Sequence, residues 1–260
     1  MIDRRSIIAA ESERFAAALA TADPTVPVPT CPDWTALDLL SHLTQVHQFW
    51  AAVIGERLTG PQAGEFEENQ EPLPQDPQRL QQLRRQATAD LLAALDSRDP
   101  GEWAWSWFEP DQSVDFTWRM QTHEATMHRV DAELTAGQDI SPIDPDIAGD
   151  GVDHVLDVMW NWAPADADRV RSGVVELRAT DTGRTWQVGT VRWTGQAWGQ
   201  TFTDHPTGER VEGQAPDATI SGTAEDLDLL VWTRADRGLT REGDPRILAE
   251  FQAIIDAGHL

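Results

Sequence analysis

The chain has 260 residues, 40% of them hydrophobic, which suits one large domain or two modest ones. Its formal charge is −24. So acidic a chain opposes binding to a phosphate backbone, which needs clustered cations. All 20 basic residues are Arg and Tyr is absent, so a lysine Schiff base and a phenolic acid are both excluded.

No apolar run approaches the length that crosses a bilayer. The opening Met1-Ile-Asp-Arg-Arg-Ser6 leads into an amphipathic helix and lacks the apolar stretch of a signal peptide. A single cysteine, Cys31, rules out an intramolecular disulfide and fits a reducing cytoplasm. The expectation is a cytoplasmic protein, monomer or weak dimer, without nucleic-acid or membrane partners. Its Arg- and Ala-rich, Lys-free usage looks like that of a GC-rich, actinobacterial genome. Salt adaptation is a rival account of the acidity.

Residues 3–21 read as a first helix, with Ile7, Ile8, Phe15 and Leu19 as its apolar stripe and Pro24 beyond its end. Prolines 27, 29 and 32 make the next segment extended. Cys31 lies there and reads as a small buried apolar residue, since no cation adjoins it. Thr35-Ala-Leu-Asp38 is a capping box that opens a second helix running to about Leu58. Leu39, Leu40, Leu43, Val46 and Phe49 form its stripe, and His42 lies beside that stripe. Residues 59–75, rich in Gly, Pro, Gln and Glu, read as a loop.

Asp76-Pro77 starts a third helix to about Ser97. Its Arg84 and Arg85 read as a solvated face rather than a carboxylate clamp. In Trp103-Ala-Trp-Ser-Trp107-Phe, alternation puts three indoles on one face of an extended segment, covering the bundle core or walling a pocket. A fourth helix runs from about Val114 to Ala136, with Phe116, Met120, Met127, Val130 and Leu134 inward. A fifth spans about 146–162.

After the linker-like Ala163–Asp168 the periodicity changes to that of short strands: 174–179, 185–188, 191–193, 197–202 and 218–221. Helices at 223–233 and 245–257 follow, separated by a short strand and turn at 239–244. The fold expected is α+β. Residues 1–165 form an up-and-down four-helix bundle, and residues 166–260 form a smaller α+β domain.

The chemistry concentrates in Thr122-His-Glu-Ala-Thr-Met-His-Arg-Val-Asp131. This is not a His-Glu-x-x-His zinc signature, whose histidines are four apart on one helix face. His123 and His128 are five apart, which leaves them about 140° apart around a helix. Glu124 and His128, four apart, do share a face. Bundles build metal sites from inward side chains on facing helices. His42 on the second helix would complete a set of two His and one carboxylate, with the open position that marks a catalytic zinc site. The ordinary alternative is a buried Glu–His pair that satisfies a helix crossing.

The segment Thr30-Cys-Pro-Asp-Trp-Thr-Ala-Leu-Asp-Leu-Leu-Ser-His42-Leu resembles the opening motif of the mycothiol-dependent maleylpyruvate isomerase family. So does Trp118-Arg-Met-Gln-Thr-His-Glu124-Ala-Thr-Met-His128-Arg-Val-Asp131-Ala-Glu-Leu. A softer likeness covers Ala215–Gly222, Leu229–Arg234 and Glu242–Asp244. The resemblance implies a DinB-like metal-binding bundle followed by a sterol-carrier-like C-terminal domain. It implies His42, Glu124 and His128 as metal ligands, a functional acid at Asp131 and a catalytic arginine at Arg234. The implied cofactors are a divalent metal, most readily Zn²⁺, and mycothiol as thiol cosubstrate. Activation of that thiol as thiolate would drive isomerisation or S-transfer on a small electrophilic substrate. Ala125-Thr126 and the Trp-rich connection depart from the family pattern. The alternative is a non-catalytic metal-containing small-molecule or lipid binding protein.

Overall fold

A computed structural model describes residues 2–258. The chain divides into two compact units, Met1–Ser141 and Pro142–Leu260.

The first unit contains α1 (Arg4–Leu19), β1 (Pro27–Val28), β2 (Cys31–Thr35), α2 (Ala36–Gly55), α3 (Gly60–Glu68), α4 (Pro77–Asp96) and α5 (Val114–Thr135). Helix α1 packs along α5 and α2 along α4, and the two pairs meet through α2–α5 and α1–α4 contacts, forming the four-helix bundle. Phe15, Leu39, Leu43 and Leu80, none of them exposed, share one core cluster. The predicted capping box is present: Asp38 Oδ2 accepts from the Thr35 N–H at 2.9 Å, and Thr35 Oγ1 accepts from the Asp38 N–H at 3.2 Å. It fixes where α2 begins and therefore where His42 falls. Cys31 is half-buried against the core cluster.

Three expectations change in this unit. The segment read as a loop over 59–75 contains α3. There Gln62 Oε1 accepts from the Thr59 N–H at 3.0 Å, Pro61 lies in the first turn and Ala63 is buried. Its Gly and Pro are helix-start residues rather than breakers. Arg84 is not on a solvated face: its side chain is fully buried and its Nη2 donates to Glu13 Oε1 at 2.8 Å. The three indoles do not share a surface either. Trp105 stacks on Trp50 at 6.0 Å, whereas Trp103 and Trp107 are 55% and 48% exposed.

The second unit contains α6 (Pro145–His154), a π-helical turn (Val155–Met159), β3 (Asp168–Ala179), β4 (Thr185–Ala197), β5 (Gln200–Val211), β6 (Ala218–Gly222), α7 (Ala224–Val231), β7 (Thr240–Gly243) and α8 (Pro245–Ala257). The sheet order is β5-β4-β3-β6-β7, parallel only between β3 and β6. Helix α8 packs on the sheet, and α7 packs against β3, β6 and α6. Two of the expected short strands merge into the continuous β4. The helix expected over 146–162 changes hydrogen-bond pattern at Val155, where the Trp160 N–H reaches the Val155 carbonyl at 2.9 Å. The helix also groups with the sheet, so the compact units divide at Ser141/Pro142 rather than at 165/166. The linker-like segment therefore lies inside the second unit.

Candidate metal centre

Helix α2 supplies His42, and α5 supplies Glu124 and His128. The spacing within α5 puts Glu124 and His128 on one face, and packing of α2 on α5 brings His42 to them. One donor atom from each of the three residues lies within 4.8 Å of the others. Glu124 Oε1 stands 3.1 Å from His42 Nε2 and 3.1 Å from His128 Nε2, so one carboxylate oxygen sits between two imidazole nitrogens. The imidazoles meet edge to face, with ring centroids 4.7 Å apart.

Asp131, one turn beyond His128, is fully buried. Its Oδ2 accepts from His128 Nδ1 at 2.9 Å. With Nδ1–H committed there, Nε2 can face the Glu124 carboxylate favourably only with a positive charge on the ring or beside it. Burial alone would push the His128 imidazole down. The Glu124 charge and the Asp131 hydrogen bond outweigh it and raise the group to about 9. Burial would likewise raise Glu124, but the His128 charge and hydrogen bonds from His128 and His42 hold its carboxyl well below the usual range. The cluster thus stabilises a cation at its centre. A proton on His128 meets that need in the metal-free chain, and a divalent ion on the same three donors would meet it more fully.

Other residues singled out in the sequence fall elsewhere. His123 is fully buried but outside this cluster, as its spacing from His128 required. Arg234 follows α7 in the second unit. It is half-buried, with Nη1 donating to the Trp232 carbonyl at 2.7 Å.

Sequence reasoning missed two neighbours of the cluster. Thr30 Oγ1 donates to Asp131 Oδ1 at 2.6 Å. Trp34 lays its indole against His42, with ring centroids 4.7 Å apart, and lies 6.3 Å from the His128 ring. Both belong to the motif that opens at Thr30. In the sequence they stood only as members of that family-like segment, with no role attached to either.

A four-helix bundle with an internal two-His, one-Glu cluster, followed by a separate α+β unit, defines the class of protein. Residues 6–133 match the family described as mycothiol maleylpyruvate isomerase N-terminal domain, so the bundle carries that family's domain. Two solved structures are similar in fold: the mycothiol-dependent maleylpyruvate isomerase and a histidine-to-alanine mutant of it. Each has a TM-score of 0.61, is 14% identical, and is matched over 93% of this chain and 93% of its own. No curated protein matches the chain.

Proposed function

We propose that the protein is an enzyme that uses a low-molecular-weight thiol, mycothiol, as cosubstrate to isomerise a small electrophilic substrate of the maleylpyruvate kind. The observation that carries this reading is the convergence of His42, Glu124 and His128 on one point, with donor atoms within 4.8 Å of one another, inside the family's own domain. Two imidazoles and one carboxylate fit a divalent ion, zinc foremost, although such donors also accept other transition metals. When bound with an open position, such an ion holds a thiol in its nucleophilic thiolate form.

The chain's own residues have simpler tasks. Glu124 supplies the one anionic donor and keeps both histidines turned inward. Asp131 accepts a hydrogen bond from the Nδ1–H of His128, which leaves the Nε2 lone pair to face a metal. Trp34 covers one side of His42 with an apolar ring. For a substrate carboxylate we propose Arg234, on the strength of the family resemblance. The cosubstrate's sulfur adds to an activated carbon–carbon double bond. The resulting single bond rotates, and departure of the sulfur restores the double bond in the other geometry, with no net change in atoms. Cys31 takes no part, because the nucleophile is the cosubstrate's.

Metal analysis tests the first half of this reading. One equivalent of zinc is expected on the purified protein, with loss in His42→Ala and in Glu124→Ala. Stoichiometric zinc unaffected by either change would sink the assignment. Conversion of maleylpyruvate that requires both zinc and mycothiol is the expected outcome for the second half. A zinc-loaded protein that binds mycothiol but turns nothing over would favour a binding protein instead.

A further inference from the structure

The hairpin before α2 touches the cluster at two places. Its turn residue Thr30 donates from Oγ1 to Asp131 Oδ1 at 2.6 Å, while the other oxygen of the same carboxylate accepts from His128 Nδ1 at 2.9 Å. Four residues on, the indole of Trp34 lies 4.7 Å from the imidazole of His42. Each of the two histidines is therefore contacted, directly or through one intermediary, by a side chain from outside the two helices that carry the cluster.

The hairpin is also anchored. Pro27 pairs with Thr35 and Val28 with Cys31. The Ala36 N–H reaches the Val26 carbonyl at 2.9 Å, and the Leu37 N–H reaches the Pro24 carbonyl at 3.0 Å. Val28 is fully buried, and Cys31 and Trp34 pack on the same core cluster. The strands contact both α2 and α5. The hairpin is thus tied between the two helices rather than hinged over them.

We propose that the β1–β2 hairpin is an outer clamp for the metal centre, in which Thr30 is a positioning residue that acts on His128 through Asp131 and Trp34 is one that acts directly on His42. The inference rests on the metal reading above. With Thr30 on one oxygen and His128 on the other, the carboxylate plane is fixed from both ends, and so are the tautomer and ring direction of His128. Trp34, against the His42 ring, limits its rotation. A group that touches a metal ligand directly typically changes the metal's affinity by about 10–100-fold, and Thr30, one side chain further out, is expected to act at or below the lower end of that range.

The test is zinc affinity, measured by chelator competition on the full chain, beside the thermal melting of the metal-free proteins. Thr30→Val keeps the shape and removes the donor, and a zinc dissociation constant several-fold to about 10-fold weaker is expected. Thr30→Ser keeps the hydroxyl and is expected to bind like wild type. Trp34→Leu is expected to weaken binding as well. Asp33→Ala, at an exposed hairpin position, is expected to change nothing. If Thr30→Val does not fold, Thr30→Ala takes its place in the same comparison. Wild-type protein that takes up no zinc overturns the metal reading itself. Wild type that binds zinc, with Thr30→Val and Trp34→Leu binding equally well, overturns the clamp alone. A loss in Thr30→Val that Thr30→Ser does not recover assigns the effect to packing and overturns the role of the hydroxyl.

Discussion

His47 lies five residues beyond His42 on α2 and has no exposed surface. Its Nδ1 meets Thr88 Oγ1 at 2.9 Å, and Thr88 Oγ1 donates to the Arg84 carbonyl at 3.0 Å. The Thr88 hydroxyl proton is thus spent, so Thr88 accepts and His47 carries its proton on Nδ1. Burial dominates its protonation; Glu124 opposes it, Arg84 and the cluster histidines add to it, and the group is pushed down to about 3. The sign of the consequence is fixed. In the unfolded chain the imidazole titrates near 6.5, so between about 6.5 and 3 the unfolded state binds a proton that the folded state does not. Folding stability is full above that window and falls as pH drops through it, by about 1.4 kcal/mol per unit for this residue. Urea unfolding of metal-free protein at pH 7 and pH 5 checks this. Wild type is expected to lose roughly 2 kcal/mol more than His47→Gln, by that same factor applied over the part of the interval below 6.5. Equal losses would remove His47 as the cause. At this scale the sequence was unevenly legible. Helical geometry separated His128 from His123 and paired it with Glu124, because a fixed rotation per residue is a local property. Arg84 read as a solvated face because nothing local shows that packing buries its side chain and leaves it reaching out to Glu13 on another helix. Thr30 was invisible for the same reason: its partner lies 101 residues away.

The elements that local signals specify were legible to within a few residues. Helices α2 and α4 follow from their caps, and α8 from Asp244-Pro245. Helix α3 was missed because Thr59-Gly-Pro-Gln62 reads equally as a turn until the Gln62 side chain closes on the Thr59 backbone. The π-helical turn at Val155–Met159 has no sequence signature and is explained by what its end must meet. The Trp160 ring is packed on β5 at Gly208, where a Cβ would stand 2.2 Å from the indole Cε3. The neighbouring Thr207 Oγ1 donates to the Trp160 carbonyl at 2.9 Å. The widened turn sets the indole onto the strand, and the strand makes room by omitting a side chain. Gly208→Ala is therefore expected to destabilise the second unit by about 1–3 kcal/mol through overpacking. The readout is urea unfolding followed by a signal from that unit, with zinc affinity unchanged because the cluster lies in the other one. An alanine that leaves the unfolding midpoint where it was would show that Trp160 can move aside at no cost.

At the scale of the whole molecule, every residue named for the candidate metal centre lies in Met1–Ser141. His42, Glu124, His128, Asp131, Thr30 and Trp34 belong to that unit, as does the core cluster that anchors the hairpin. The unit also pairs its buried Arg129 from within. Arg129, with no exposed surface, donates from Nε to Glu11 Oε2 at 2.6 Å and from Nη1 to Glu133 Oε2 at 2.7 Å and to the Ser141 carbonyl at 2.7 Å. These contacts join α1, α5 and the final residue of the unit. A chain ended at Ser141 keeps all of them, whereas one ended shortly before it would leave a buried guanidinium short of an acceptor, a costly loss for a charged group. Residues 1–141 expressed alone are therefore expected to fold cooperatively and to bind zinc within a few-fold of the full chain, a difference of about 1 kcal/mol or less. Ending the chain at Gly137 is expected to lower the melting temperature further. Chelator competition and thermal melting on the two lengths give the comparison. Loss of zinc binding in a folded 1–141 segment would mean that the second unit supplies a donor or a constraint, and the centre could then no longer be assigned to the bundle alone.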